Sequence, residues 1–333
     1  MNQFQSQSQL WSPHSASSAG EDCADAPIAQ RRASAVRKAL SRTRRRLASL
    51  WQHRNVPLAE RLEFTCNICG HRSRPPRAVL WREGQTCLYC GSTVRWRSII
   101  HCLSMELFGR SLVLPEFPVR KDISGAGLSD WTGYAEGLEK KFNYFNTFYH
   151  CAPFLDIKSP DPEYFSRFDF VISSDVFEHV PPPIGPAFEG ARKLLKPGGV
   201  MIFSVPYVKG ETREHFPELH RFAIHGRKQD FSLINETVDG TRQEFREITF
   251  HGGEGTTIEM RIFGEDSLLE NFEGAGFNLV RQYSEEVQEY GILWPAYDPT
   301  AMKYPRPIYG LDTPPWSAAS RCTEVQRRSE DGR

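Results

Sequence analysis

The sequence predicts an α/β fold with a parallel sheet, preceded by a small four-cysteine module, and three observations carry that expectation. The run Phe168-Asp169-Phe170-Val171-Ile172-Ser173-Ser174 is apolar and stops abruptly in Asp175-Val176-Phe177-Glu178-His179-Val180. Phe188, Ala191, Leu194 and Leu195 then recur on one helical face, and Lys196-Pro197-Gly198-Gly199 ends that helix, because proline cannot continue it and glycine supplies the turn. A second apolar run from Val200 to Val205 also ends in a polar, proline-containing loop at Pro206-Tyr207. Strand, helix and strand within about forty residues make a βαβ crossover whose two strands open their loops on the same sheet edge. Ligands of such sheets sit beyond the carboxyl ends of the strands, so Ser173 to His179 and Pro206 to Tyr207 are where chemistry is expected.

From the amino terminus, residues 1–60 read as a disordered region, rich in Gln, Ser and Ala over the first thirty positions. Net charge is zero, but the balance is uneven. Residues 31–54 carry nine basic side chains and no acid, leaving 32 basic and 41 acidic residues elsewhere. With Leu40, Leu47, Leu50 and Trp51 this segment can form a basic amphipathic helix that touches nucleic acid, an anionic membrane surface or the protein's own acidic body; a solvated tail is the plainer alternative. No apolar run approaches the ~18 residues of a membrane span, and the first thirty residues lack the apolar core of a secretory signal.

Residues 62–95 hold Cys66-Asn67-Ile68-Cys69-Gly70 and Cys87-Leu88-Tyr89-Cys90-Gly91, two Cys-x-x-Cys-Gly knuckles with 17 residues between Cys69 and Cys87. Two intervening residues let one tight turn present both sulfurs, and the glycine lets the backbone fold back under a metal. Four thiolates suit tetrahedral zinc and leave no open position, so Cys66, Cys69, Cys87 and Cys90 read as a structural zinc ribbon, in a reducing compartment such as the cytoplasm. Arg72, Arg74, Arg77, Arg82, Arg95 and Arg97 surround it, with Trp81, Tyr89 and Trp96 interleaved. That pattern can neutralise and stack single-stranded RNA, or the ribbon can simply dock onto its neighbour.

A connecting helix and linker are expected over 96–118, from Ile99, Ile100, Leu103 and Leu107 at helical spacing. The main domain then spans 119–311. Its first turn is expected in Ser124-Gly125-Ala126-Gly127-Leu128-Ser129-Asp130, its second strand from Asn143 to Tyr149, and its third at Phe154-Leu155-Asp156-Ile157. Asp156 follows Gly127 by only 29 residues, too few for a full helix, strand, helix and strand, so one helix is trimmed. An insertion over about 208–263 contains His215 and His220 and then a β-hairpin, Ile248 and Phe250 against Ile258, Met260 and Ile262, read as a cap over the pocket. Ser267 with Glu270 reads as a capping box before Leu268, Leu269 and Phe272; Gly276 closes that helix and Phe277 to Tyr283 is a strand. Residues 312–333 read as a disordered tail.

The string ending Glu178-His179-Val180, followed by Leu195-Lys196-Pro197-Gly198-Gly199, resembles the fourth-strand to fifth-strand half of class I S-adenosylmethionine-dependent methyltransferases, over roughly residues 119–285. Cys90-Gly91-Ser92-Thr93-Val94-Arg95-Trp96-Arg97 leading into a helix similarly resembles bacterial methyltransferase-domain proteins with a zinc ribbon ahead of a compact catalytic domain. The resemblance implies a compact Rossmann-like sheet and S-adenosylmethionine as cofactor. It also implies cofactor contacts from Gly125 and Gly127 in the glycine loop, from Asp156 facing the adenine amino group, and from Ser174, Asp175 and Val176 beside sulfonium and adenine. The sequence departs from the pattern twice: the loop has two glycines rather than three, and the second strand ends in Asn146-Thr147 where a ribose-binding carboxylate is the rule.

The reading is therefore a methyltransferase acting on an unidentified acceptor, a small molecule or glycan in preference to a macromolecule. His179, His215 and His220 are the candidates to take a proton from the acceptor; surface histidines, or a packed His179 that holds its loop, are the alternatives. An RNA methyltransferase using the ribbon and its arginines, and a degenerate methyltransferase fold that only binds, stand beside this reading.

Overall fold

A computed structural model describes residues 54–227, 230–251, 257–293 and 308–312. The basic segment (Arg54 apart), the amino-terminal region before it and the polar tail beyond Asp312 lie outside the described residues, as does the Gly252-to-Gly255 tip of the expected hairpin; within the stretch expected to be disordered, Leu58–Glu60 form a 3-10 turn instead.

The cysteine module opens with a two-residue hairpin, β1 (Phe64–Thr65) and β2 (Arg72–Ser73), paired Phe64 to Ser73 and Thr65 to Arg72. Helix α1 (Val94–Phe108) follows. Thr93 accepts a hydrogen bond from the Trp96 amide at its start, and Gly109 stops it at φ 66, in the left-handed region where glycine costs least. Next come β3 (Arg120–Leu128), α2 (Thr132–Lys141), β4 (Phe142–Thr147), β5 (Phe168–Ser174), α3 (Gly185–Leu194) and β6 (Leu195–Ser204).

β4, β3, β5 and β6 form a parallel sheet in that order. Two antiparallel strands, β16 (Ile308–Asp312) and then β15 (Asn278–Tyr283), extend it beyond β6. Alternation divides the core. Phe170, Ile172, Val200 and Ile202 face α1, α2 and the cysteine module, while Val171, Met201 and Phe203 face α3 and α4 (Glu265–Gly274). The ribbon thus shares a hydrophobic core with the sheet: Phe64, Ile68 and Leu80 belong to the same cluster as Phe170 and Val200.

Three expectations are corrected. Phe154 to Ile157 makes no strand; its pairing is one bridge between Phe148 and Phe154, and among the described residues a single 3-10 turn at Pro162–Tyr164 is the only helical element between β4 and β5. Pro153, Pro160 and Pro162 remove three of the donors a ladder would need. Helix α4 begins at Gly264 and Glu265 rather than at Ser267, with no side-chain cap; Glu265 and Asp266 place negative charge at its positive end. Between β6 and α4 the chain builds more than a hairpin. β7 (Tyr207–Val208) and β8 (Arg213–Glu214) flank β14 (Arg261–Gly264), and β9 (Arg221–Arg227), β10 (Asp230–Glu236) and β11 (Arg242–Phe245) form an antiparallel meander. β12 (Phe250–His251) pairs with β13 (Thr257–Ile258).

Candidate functional site

A cleft of about 1490 Å³ opens beyond the carboxyl ends of β3, β4 and β5. Its walls come from four places: the turn after β3, the loops after β4 and β5, the β12–β13 hairpin, and the cysteine module, which contributes Trp81, Arg82, Glu83, Arg95 and Trp96.

The turn after β3 is Ser129-Asp130-Trp131, with Ser129 at φ 59. Asp130 is buried, and burial raises its carboxyl to about 7 against the opposing hydrogen bonds from Tyr144 and Tyr134 and the charge of Arg95. Its Oδ1 has no hydrogen-bond partner among the described residues. Asn146 clamps the turn from β4: its Oδ1 accepts from the Asp130 amide and its Nδ2 donates to the Asp130 carbonyl, both at 2.8 Å. Asn146 is therefore committed to the backbone rather than offered to a ribose, and the Thr147 hydroxyl donates to the Gly127 carbonyl at 2.8 Å.

Gly125 and Gly127 lie inside β3 and do not line the cleft, contrary to their expected place in a cofactor loop. A Cβ at Gly125 would overlap the Phe170 ring, and one at Gly127 would overlap the Tyr144 hydroxyl and the Asp130 carboxylate. Both glycines make room for side chains beneath the turn.

Ser174, Asp175 and Val176 do line the cleft, at the end of β5. The side chains of the first two are bound by the cysteine module. Arg82 grips Asp175 in a bidentate pair, its Nη1 at 2.6 Å from Oδ2, while Arg95 Nε lies 3.3 Å from the same oxygen. Arg95 Nη1 donates to the Ser174 hydroxyl at 2.7 Å, and its other nitrogens reach Glu83 at 2.8 and 2.9 Å. Burial alone would raise the Asp175 carboxyl; the two guanidinium groups outweigh it and hold it at about 2. Trp96 stacks on Trp131 with centroids 4.0 Å apart and planes 7° from parallel, joining α1 to the turn after β3. Asp156 also lines the cleft, half-buried, with its Oδ1 accepting from the Lys158 amide at 2.9 Å.

The histidines divide. His179 lines the cleft; its Nδ1 meets the Ile258 carbonyl at 2.7 Å, and burial lowers its pKa to about 4, so the ring is neutral at pH 7. His215 is outside the lining, 2.9 Å from Glu259 Oε1. His220 is exposed and away from the cleft, where its backbone amide caps onto Asn235 Oδ1, so the structure removes it from the candidate proton acceptors. Two residues not singled out for the site belong to it. His251 lines the cleft beside His179, and buried Glu259 joins His251 Nε2 at 3.0 Å to His215. The alternation of Ile258 and Met260 marks Glu259 as pointing opposite to them; a carboxylate there next to an apolar strand was the available signal.

The family model for a methyltransferase domain matches residues 109–282 of the 333, just over half of the chain. The chain belongs to this family. It is an S-adenosylmethionine-dependent methyltransferase. Solved methyltransferases are similar at a distance. One from Clostridium acetobutylicum is 12% identical, with 57% of this chain and 83% of that chain covered and a TM-score of 0.35. One from Mesorhizobium loti is 12% identical, with 67% and 98% covered and a TM-score of 0.35. The 1,6-didemethyltoxoflavin-N1-methyltransferase of Burkholderia thailandensis is 14% identical, with 87% and 92% covered and a TM-score of 0.32. No curated protein matches the sequence.

In this methyltransferase the four cysteine sulfurs lie within 4.8 Å of one another, with Cys66 to Cys90 at 3.7 Å and Cys69 to Cys87 at 3.6 Å. Tetrahedral zinc with bonds of about 2.3 Å places sulfurs about 3.8 Å apart, so the set fits that ion. Gly70 and Gly91 take φ 75 and 77, and their amides donate to the Cys66 and Cys87 carbonyls, which closes each knuckle. Arg97 is buried beside the cluster, donating to Ser92, Thr86 and the Gly291 carbonyl. With Arg82 and Arg95 also committed internally, three of the six arginines around the knuckles are turned inward rather than toward solvent. No helix among the described residues is long and apolar enough to cross a membrane.

Proposed function

We propose that this methyltransferase acts on a small-molecule or glycan acceptor enclosed between the β5 loop and the β12–β13 hairpin. The observation that carries the proposal is the size of the cleft. Its volume of about 1490 Å³ exceeds the ~300–1,000 Å³ of a usual single-ligand pocket, so cofactor and acceptor fit together. The acceptor end is walled by Phe222, Phe250, Ile258 and Met260, an apolar surface suited to a compact substrate.

The cofactor end suits S-adenosylmethionine. Trp131, Phe148 and Tyr149 offer faces for a purine, Asp156 a carboxylate for its amino group, and Asp130 a buried oxygen still lacking a donor. Ser174 and Asp175 contribute their backbone, since their side chains hold the arginines. The bound cofactor supplies a methyl on a cationic sulfur that is already a good leaving group. What the protein adds is alignment and exclusion of water, worth roughly 7–11 kcal/mol for well-oriented partners. His179, neutral and at the junction of the two ends, is the histidine that faces the acceptor.

The four cysteines hold one structural zinc in this reading, and the thiol ligands fit a reducing, cytoplasmic setting. Incubation with methyl-labelled S-adenosylmethionine and cell fractions tests the proposal: label should enter the small-molecule or glycan fraction. Label confined to RNA, with an affinity that falls steeply with salt, would favour the RNA reading instead. Failure of S-adenosylhomocysteine to bind at millimolar concentration in calorimetry would favour a fold that no longer turns over.

A further inference from the structure

We propose that Glu178, His179 and His251 form a second metal site, holding one first-row divalent cation at the acceptor end of the cleft. Their ligand atoms lie within 4.8 Å of one another: His179 Nε2 is 3.2 Å from His251 Nδ1 and 3.7 Å from Glu178 Oε1. Metal–ligand bonds of about 2.0–2.2 Å place neighbouring ligands about 3–3.6 Å apart, so little adjustment is needed to surround one ion.

Proton positions make the same demand. The Ile258 carbonyl can only accept, so His179 carries its proton on Nδ1. The Glu259 carboxylate draws the proton of His251 to Nε2, 3.0 Å from Oε2. The two nitrogens that then face each other at 3.2 Å both present lone pairs, which repel unless a proton or a metal ion lies between them. Glu178 adds an independent requirement. It is fully buried, and neither carboxylate oxygen has a hydrogen-bond partner among the described residues. An isolated buried carboxylate is costly, and a coordinated metal is one of the few partners that offset that cost.

The outer contacts match what metal-binding histidines need: a carbonyl on one ring and a carboxylate on the other fix both orientations, and Glu259 is itself held by His215 at 2.9 Å. Two imidazoles and one carboxylate favour zinc, cobalt or iron over magnesium or calcium. His179 and His251 line the cleft, so the position left open by three protein ligands faces the acceptor. Resting on the methyltransferase reading, this narrows the acceptor to one presenting a hydroxyl oxygen, whose acidity the cation would raise.

The test is titration of the full-length protein, its ribbon zinc retained, with Co²⁺ followed by visible absorption. One equivalent should bind with weak ligand-field bands and no sulfur charge-transfer band. His251→Ala and Glu178→Gln should abolish that uptake, and Glu259→Gln should weaken it by about 10–100-fold. Zinc content and far-ultraviolet circular dichroism report whether each variant is folded; should Glu178→Gln not fold, His251→Ala decides. No uptake at millimolar Co²⁺, bands of thiolate ligation alone, or a folded His251→Ala that binds as the wild type does would overturn the proposal. S-adenosylhomocysteine calorimetry on the same sample reports separately on the methyltransferase reading, since it does not depend on cobalt.

Discussion

Two aspartates in the cleft titrate in opposite directions because their neighbours differ. Asp175 is held at about 2 by Arg82 and Arg95, below its ordinary value near 4, so its contribution to stability is complete above about pH 4 and disappears as pH falls through about 2. Asp175→Asn leaves two largely buried guanidinium groups with the half-exposed Glu83 as their remaining anion and should cost about 3 kcal/mol in urea unfolding at pH 7. The gap between wild type and variant should close in that acid window; a gap independent of pH would mean the ion pair is not its source. Asp130 is raised to about 7, so the folded state binds the extra proton between about pH 4 and 7 and stability falls as pH rises through that range. Asp130→Asn keeps the shape and removes the charge. It should flatten that slope and be the more stable protein at pH 8, by roughly 2–4 kcal/mol.

The elements place these residues through close approaches that a sequence pattern marks only faintly. Gly190 on α3 packs against the Ile157 carbonyl and Pro160, and a Cβ there would overlap that carbonyl. Gly190→Ala should cost about 1–3 kcal/mol and displace the loop that carries Asp156. The expected outcome is a lower melting temperature together with weaker S-adenosylhomocysteine binding by calorimetry. A lower melting temperature with unchanged affinity would mean Asp156 does not meet the cofactor. The βαβ unit was legible because apolar runs and Pro197-Gly198-Gly199 are local signals, and β5, α3 and β6 appear where they point. The third strand was not, because Phe154 to Ile157 has strand-like composition while Pro153 and Pro160 deny it a ladder. The glycine loop misled for a related reason. Two glycines one residue apart look alike whether the space they leave admits a cofactor or, as here, Phe170 and Tyr144.

At the scale of the whole molecule, the cysteine module is part of the cleft rather than an appendage. It shares the core of the sheet and sends Arg82 and Arg95 to the end of β5. Zinc of this kind can supply on the order of 10 kcal/mol of folding free energy to a small module. Chelation should therefore unfold the module and, by freeing Asp175 and Ser174, weaken S-adenosylhomocysteine binding measured by calorimetry alongside zinc content. Full affinity after complete zinc loss would show that ribbon and cleft are independent. By itself the sequence determined the layered α/β class, the edge of the sheet where chemistry belongs, and the four-cysteine cluster, because periodicity, turn residues and knuckle spacing act over short stretches of chain. Only the tertiary structure decided that Arg82 closes on Asp175 across 93 residues, and that His179 meets His251 across 72. Such meetings depend on how distant segments converge when the core closes, and no local pattern encodes that convergence.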